Sequence, residues 1–247
     1  MHEIFLSAEP LFFIGTFPFT NTLLVSLVAV GVIALGGHLL NRRYAEVPGT
    51  AQSIVEVVYE GLADLMDSVL GERKKSEQYL PFVATIFVFI LVSNWLGILP
   101  GVGSIGIEEG HHFTPLLRSP ASDLNFTLAL AIISFLTIEI TGVLTLGLLK
   151  YGGKFVNFRS PVDFAVGLIE LVSNLGRLIS FSFRLFGNIF AGEVMILVAA
   201  FFLPYFLPVP LMAFEVFVGF IQAVVFAMLT LFFIKLAVME PHGETSH

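Results

Sequence analysis

The chain has 247 residues, of which 56 % are hydrophobic and only 13 % charged, with a net charge of −7 and no cysteine. An average soluble domain carries about 25 % charged residues, so this chain cannot cover a water-facing surface with polar groups, and lipid must cover part of it. The acidic balance argues against nucleic acid as a partner, and the lack of cysteine excludes disulfides, thiolate metal sites and cysteine nucleophiles.

Five apolar segments follow one another along the chain, at about 23–40, 80–99, 124–149, 161–203 and 209–238. A helix rises about 1.5 Å per residue, so each segment is long enough to cross a hydrocarbon core of about 30 Å. The fourth is too long for one perpendicular crossing. We predict an all-α, polytopic membrane protein with five transmembrane helices in a single membrane domain, residues 1–247.

The distribution of lysine and arginine predicts on which side of the membrane each end of the chain lies. Residues 1–13 contain no lysine or arginine, so they lack the basic start of a secretory signal, and we expect them in the mature protein. With five spans, Arg118 is the one basic residue in a loop on the same side of the membrane as the N-terminus. Because lysine and arginine are enriched in cytoplasmic loops, we expect the N-terminus outside and the C-terminus in the cytoplasm. If 161–203 formed two spans, the C-terminus would change sides. The predicted cytoplasmic residues are Arg42, Arg43, Arg73, Lys74, Lys75, Lys150, Lys154 and Arg159.

The segment at about 51–70 has a helical pattern with two opposed faces. Its acids are Glu56, Glu60, Asp64 and Asp67, and apolar residues occupy the other face. We expect one interfacial amphipathic helix, lying along the membrane surface or against partner helices. A partly buried connecting helix is the alternative.

The outer loop at 101–122 contains two acids and two histidines, Glu108, Glu109, His111 and His112. Such residues in a solvated loop usually bind nothing in particular, so we expect no metal there. No glycine-rich loop followed by Lys-Ser/Thr occurs anywhere, so we expect no ATP site and no cofactor.

Charged residues are regularly spaced within the fourth span. A charge inside a membrane helix costs about 3 kcal/mol and by default marks a site or a pathway. Asp163, Glu170, Arg177 and Arg184 are seven residues apart, so they share one slowly drifting helix face. Asn188, one turn further on, joins that face.

Two interpretations of these charges compete. An internal network of acids and arginines that only fastens helices together stays open for Arg177. It suits Arg184 less well, because Arg184 lies deep in the span with no acid three or four residues away. Arginine stays charged in proteins. Arg184 is therefore placed to meet an anion that another component supplies.

A turn bracketed by two prolines joins the last two spans into a helical hairpin. Folding the chain back at this turn places Arg184 level with Gln222, and Glu193 next to Glu215. Two neighbouring carboxylates cannot easily both ionise, so such a pair can hold and pass a proton.

These residues suggest two half-paths for protons. Asp163 and Glu170 lead from the cytoplasmic side towards Arg184, and Glu193 and Glu215 lead from the outer side. No acid continues the direct line past Arg184 on its own face. Protons would therefore have to detour through another component.

The block Arg184–Glu193, with the sequence RLFGNIFAGE, is similar to the corresponding block of the a subunit of F-type ATP synthases. The segments 219–223 (GFIQA), 120–125 (PASDLN) and 94–100 (NWLGILP) also resemble segments of that family. The resemblance extends through all the spans. It implies a non-enzymatic stator subunit that gives protons two offset half-channels to a rotating c-ring.

The resemblance also implies roles for individual residues and partners. Arg184 would be the essential arginine that faces each ring carboxylate and separates the half-channels. The other implied positions are Asn188, Glu193 and Gln222 for the outer half-channel and the support of the arginine, Glu170 for the inner half-channel and Asp123 for the outer mouth. Implied partners are the c-ring, b-type peripheral stalk subunits, other ATP synthase subunits and membrane lipid. The membrane would be a bacterial inner membrane or that of an organelle. The last two helices would lie steeply tilted along the ring.

Two positions depart from the family pattern. Glu215 occupies a position that is histidine in some relatives, and Glu139, in the third span, matches no family position. A packing role in which Glu139 bonds a neighbouring helix is one interpretation. The rival functions are a stand-alone secondary ion transporter, which often shows paired repeats, and a structural membrane anchor. This chain has one charged hairpin and no second copy.

Overall fold

The computed structural model describes residues 8–42, 44–99, 102, 105–109, 112–155, 161–204 and 206–239. Seven helices account for most of these residues. They are α1 (Asn21–Arg42), α2 (Thr50–Leu70), α3 (Arg73–Ile98), α4 (Leu124–Leu146), α5 (Leu148–Phe155), α6 (Pro161–Phe202) and α7 (Pro208–Val238). Within the described residues, α1, α3, α4, α6 and α7 are the five helices long and apolar enough to cross a membrane, which confirms the predicted class.

Two short antiparallel hairpins were not predicted. Strands β1 (Pro10–Ile14) and β2 (Phe17–Thr20) pair before α1, and β3 (Gly106–Glu109) pairs with β4 (His112–Pro115) between α3 and α4. Gly15 turns the first hairpin with a φ of 66°, a conformation that glycine adopts without strain. The side chains of Glu108, Glu109, His111 and His112 lie outside the described part of the chain.

Two helices have bounds that differ from those of the predicted spans. Helix α3 begins at Arg73 rather than near Leu80, because the polar turn before the apolar run is already helical. Helix α4 ends at Leu146, whereas the predicted third span extends to Leu149. Gly147 follows with φ 82° and ψ 150°, which ends α4 and lets the short helix α5 start in a new direction.

Helix α2 has features of both structures that its sequence left open, an interfacial amphipathic helix and a partly buried connecting helix. Leu62, Ala63 and Met66, in its C-terminal half, are buried in the core cluster. Apolar residues of its N-terminal half, such as Ile54 and Val57, are exposed. The helix is therefore a connecting element at one end and a projecting amphipathic element at the other.

Side chains from α3, α4, α6 and α7 form the main hydrophobic core, which holds the hairpin of α6 and α7 against α3 and α4. Asn94 on α3 donates from Nδ2 to the Gly219 carbonyl on α7 at 3.1 Å, and the neighbouring Trp95 Nε1 donates to the Val216 carbonyl at 3.1 Å. A Cβ at Gly219 would lie 3.1 Å from the Asn94 Cβ, so the glycine permits this close approach. The core residues include Val83, Phe87, Ile90, Ala131, Phe181, Leu185, Ala223, Phe226, Ala227 and Leu231.

The register of the α6–α7 hairpin agrees with the prediction. The rings of Phe181 and Phe226 lie 5.1 Å apart between their centroids. At the other end of the hairpin, Glu215 packs beside Gly192, next to Glu193. At about 1.5 Å per residue, the 42 residues of α6 extend about 63 Å, roughly twice a hydrocarbon thickness.

Candidate functional site

A cavity of about 320 Å³ opens beside the turn end of the α6–α7 hairpin. We call it the carboxylate cavity. Apolar residues from α3, α6, α7 and the segment before α4 make up most of its wall, and its polar lining comes from Arg118, Ser119, Glu193 and Glu215. The hairpin register and the loop after β4 thus bring Arg118 and Ser119 together with Glu193 and Glu215, from which they are far apart in the sequence.

The two glutamates of this cavity are close neighbours. Glu215 is 4 % exposed and its carboxylate lies against Gly192, where any Cβ would overlap it. Glu193 Oε2 and Glu215 Oε1 are buried and have no hydrogen-bond partner among the described residues. Each of these oxygens can accept a hydrogen bond from water or bind a proton. This arrangement suits a site that holds and releases protons.

Arg118 is the residue of this site that sequence reasoning did not select. It was placed in an outer loop, but the structure buries it to 7 % exposure and sets its Nε 3.8 Å from Glu193 Oε1. The same Nε donates to the Ser122 hydroxyl at 3.2 Å. Its only sequence signal was its position as a lone cation immediately before the Pro120–Asn125 segment.

Asp123, implied as an acid of the outer mouth, caps a helix. Its Oδ1 accepts from the backbone N–H of Asn125 at 2.9 Å and from the Asn125 side-chain amide at 3.2 Å. Its Oδ2 accepts from the Thr22 hydroxyl of α1 at 3.0 Å. Both oxygens are thus used to begin α4 and to fasten α1 to it.

Arg184 lies on an exposed face of α6. Its Nη2 donates to the Ser180 hydroxyl, one turn earlier, at 3.2 Å, rather than to the half-buried Gln222 on α7. Asn188, one turn later, is also exposed. Within the described residues no carboxylate lies within ion-pair distance of Arg184. The face therefore presents a permanent cation that is available to a group from outside the chain.

Arg177 faces inward from the same row. Its guanidinium lies over the ring of Phe233, 4.6 Å from the ring centroid. Arg177 and Arg184 both line a second cavity of about 240 Å³, together with Ser173 and Ser180. We call it the arginine cavity. Glu139, for which the sequence offered only a packing role, lines a small void beside Arg177.

The structure says less about Asp163 and Glu170, the two acids that begin the row of charges on α6. Glu170 is half-buried on α6, close enough to act electrostatically on Tyr151 of α5. Asp163 belongs to the first turn of α6, but its side chain lies outside the described part of the chain. The structure thus brings Arg177 and Arg184 to one cavity and Glu193 and Glu215 to another.

The fold and these cavities define a polytopic helical membrane protein with ionisable residues in its candidate membrane-spanning helices, a class in which such residues mark ion pathways. Comparison with known proteins gives the family. Residues 22–235 match the model of the ATP synthase A chain, and the chain belongs to that family.

Relatives from several bacteria match nearly the whole chain. The ATP synthase subunit a of Campylobacter fetus is 33 % identical over 242 residues, covering 97 % of this chain and 98 % of its own length. That of Campylobacter jejuni is 33 % identical over 248 residues, covering 99 % and 100 %. That of Mycobacterium tuberculosis is 37 % identical over 231 residues, covering 91 % and 89 %. The resemblance drawn from the sequence motifs is thereby confirmed.

Proposed function

We propose that this chain is the stationary proton-conducting subunit of an F-type ATP synthase, giving protons two offset half-channels to the rotating c-ring. The observation that carries the proposal is the exposed guanidinium of Arg184, with the arginine cavity beside it and the carboxylate cavity further along the same hairpin. Such a chain performs no bond chemistry of its own. It works with the c-ring, b-type stalk subunits and other ATP synthase subunits.

The carboxylate cavity is the outer half-channel in this proposal. A proton arriving through it is shared by Glu193 and Glu215, because two adjacent carboxylates resist being ionised together. Arg118, 3.8 Å from Glu193, stabilises the negative charge on that residue. The shared proton is therefore placed on Glu215, which is the more deeply buried of the two.

The arginine cavity belongs to the inner half-channel. Asp163 and Glu170 precede it along α6, on the cytoplasmic side when the N-terminus is outside the membrane. Ser173 and Ser180 supply hydroxyl groups along its wall. Asn188, one turn past Arg184 on α6, and Gln222, level with Arg184 on α7, offer amide groups beside the arginine in the outer half-channel.

Arg184 separates the two routes. A ring carboxylate that passes along the exposed face of α6 forms its ion pair with Arg184 only after it has released its proton. A protonated ring site gains nothing from the cation and remains neutral in lipid. The arginine therefore forces every proton to leave by one half-channel and to enter by the other, which prevents a direct leak between them.

The test is Arg184→Ala in bacterial inner-membrane vesicles that carry the assembled complex. We expect proton-driven ATP synthesis to be lost while the c-ring still copurifies with the chain, and passive proton leak to increase. Arg42→Ala, at the exposed end of α1, is the matched control and should synthesise ATP normally. Normal synthesis by Arg184→Ala would refute the assignment.

A further inference from the structure

Glu139 is the one charged residue of α4, and its carboxylate joins three helices. Its Oε2 accepts a hydrogen bond from the Tyr151 hydroxyl of α5 at 3.0 Å. Its Oε1 accepts from the Asn174 side-chain amide of α6 at 3.5 Å. Both oxygens therefore have donors, but neither donor carries a positive charge that would balance the carboxylate.

Two glycines bring Tyr151 back onto α4. Gly147 ends α4 with a positive φ, and Gly142 leaves the space that the Tyr151 ring fills, since a Cβ there would overlap the ring. Tyr151 is 6 % exposed. Burial and the neighbouring charge of Glu139 raise the pKa of the Tyr151 hydroxyl, so it stays a neutral donor at physiological pH.

Arg177 lies across a small void from this carboxylate. Arg177, Glu139 and Asn174 line one small, partly open void of about 10 Å³, roughly the space of one water molecule. Asn174 is 5 % exposed, and its Oδ1 is buried without a hydrogen-bond donor among the described residues. A water in the void would donate to that oxygen and link the carboxylate to the guanidinium.

We propose that Glu139 is the counter-charge of Arg177, so that Arg184 is the only uncompensated arginine that the arginine cavity presents to a ring carboxylate. This inference rests on the proposed function. Arg177 and Arg184 are seven residues apart, about 10 Å along the helix axis. Without Glu139, the positive charges of both Arg177 and Arg184 would act on a ring carboxylate near Arg184. They would favour its ionised form, so the carboxylate would bind a proton less readily.

The other charged groups on the surrounding helices do not replace Glu139. On α5, Lys150 is exposed. On α6, Glu170 is half-buried further towards the helix start. On α7, the Lys235 amine donates to the Val69 carbonyl of α2, and the ring of Phe233 faces Arg177. Glu139 is therefore the acid in direct contact with the void beside Arg177.

The test is the pH profile of ATP-driven proton pumping in membrane vesicles that carry the assembled complex. Pumping requires ring carboxylates to take up protons beside Arg184. At a charge separation of about 10 Å in a protein surrounding, Glu139→Gln should move the alkaline limb to lower pH by roughly 0.5 to 1 unit. Arg177→Gln, which leaves Glu139 unbalanced, should move it to higher pH. The double variant should return it to the wild-type position.

Glu72→Gln, which removes an exposed acid before α3, is the control and should leave the profile unchanged. If Glu139→Gln fails to assemble, the double variant should restore assembly, because removing both members of a pair leaves no unbalanced charge. Unmoved limbs, shifts in the same direction, or a double variant that behaves like the worse single variant would overturn the proposal. Arg184→Ala in parallel separates the two ideas: loss of coupling there with no shift in Glu139→Gln leaves the proposed function standing and this inference wrong.

Discussion

The carboxylate of Glu215 fills the space that Gly192 leaves open on the facing helix. This contact sets the distance between α6 and α7 at the carboxylate cavity, and it holds Glu215 beside Glu193. A glycine on one helix is thus matched to an acid on the other, so the position of the acid depends on a residue that has no side chain.

Gly192→Ala is expected to displace Glu215. The added methyl group would overlap the carboxylate, so the side chain must turn away or the helices must separate. We expect ATP synthesis to fall at least tenfold with little change in the amount of chain in the membrane. Gly31→Ala in α1, where a Cβ meets nothing within 4 Å, is the control. Unchanged synthesis in both variants would show that the contact has no functional weight.

Arg118→Gln should slow proton entry from the outer side. The variant removes the cation beside Glu193, and because Glu193 is partly exposed, we expect a loss of about 1 kcal/mol, or roughly fivefold in ATP synthesis. The measurement is ATP synthesis driven by an imposed outer proton gradient. The double variant Arg118→Gln, Glu193→Gln should lose no more than Glu193→Gln alone. Additive losses would mean that the two residues act independently.

Asp123 gives a test of a capping role against a proton-carrying role. Asparagine caps helices as well as aspartate does, so Asp123→Asn should retain ATP synthesis. Asp123→Ala removes the acceptors for Asn125 and Thr22, and it should destabilise the chain by about 1 kcal/mol. Thermal denaturation in detergent and ATP synthesis in membranes measure the two effects. Loss of synthesis in Asp123→Asn with unchanged stability would instead make the carboxylate part of the proton path.

Asn94→Ala tests the link between α3 and the hairpin. It removes the hydrogen bond to the Gly219 carbonyl from a buried position, and we expect a destabilisation of about 1 to 2 kcal/mol. Thermal denaturation of the purified chain in detergent provides the measurement. Gln52→Ala, on the exposed part of α2, is the comparison and should change stability much less. Equal effects of the two substitutions would contradict a special role for the α3–α7 contact.

Local patterns predicted most of the helices. Apolar runs of membrane length found all five spans, and α6 and α7 begin and end within a residue of the prediction. The helices differ from the predicted spans where local signals were weak. The polar turn at Arg73 has no apolar periodicity, although it is helical, and the break at Gly147 depends on one positive φ. The two β-hairpins are too short for a strand pattern to show.

The hairpin register was also predictable, because two prolines mark the turn and an antiparallel helix pair has one simple alignment. It correctly placed Glu193 next to Glu215. The same alignment put Arg184 level with Gln222, but it could not show that Arg184 turns to Ser180 on its own helix. The height of a residue along the helix axis is set by the backbone, whereas its hydrogen-bond partner depends on the direction of its side chain.

The sequence by itself determined the class, the family and the row of charges on α6, because hydropathy, helical spacing and motifs are all read within a short window of chain. Only the tertiary structure decided what Arg118, Asp123 and Glu139 contact. Arg118 meets Glu193 across the fold, Asp123 meets Thr22, and Glu139 meets Tyr151 through a bend at Gly147. Each partner is chosen by the packing of whole helices, which brings together side chains whose separation along the chain carries no signal of contact.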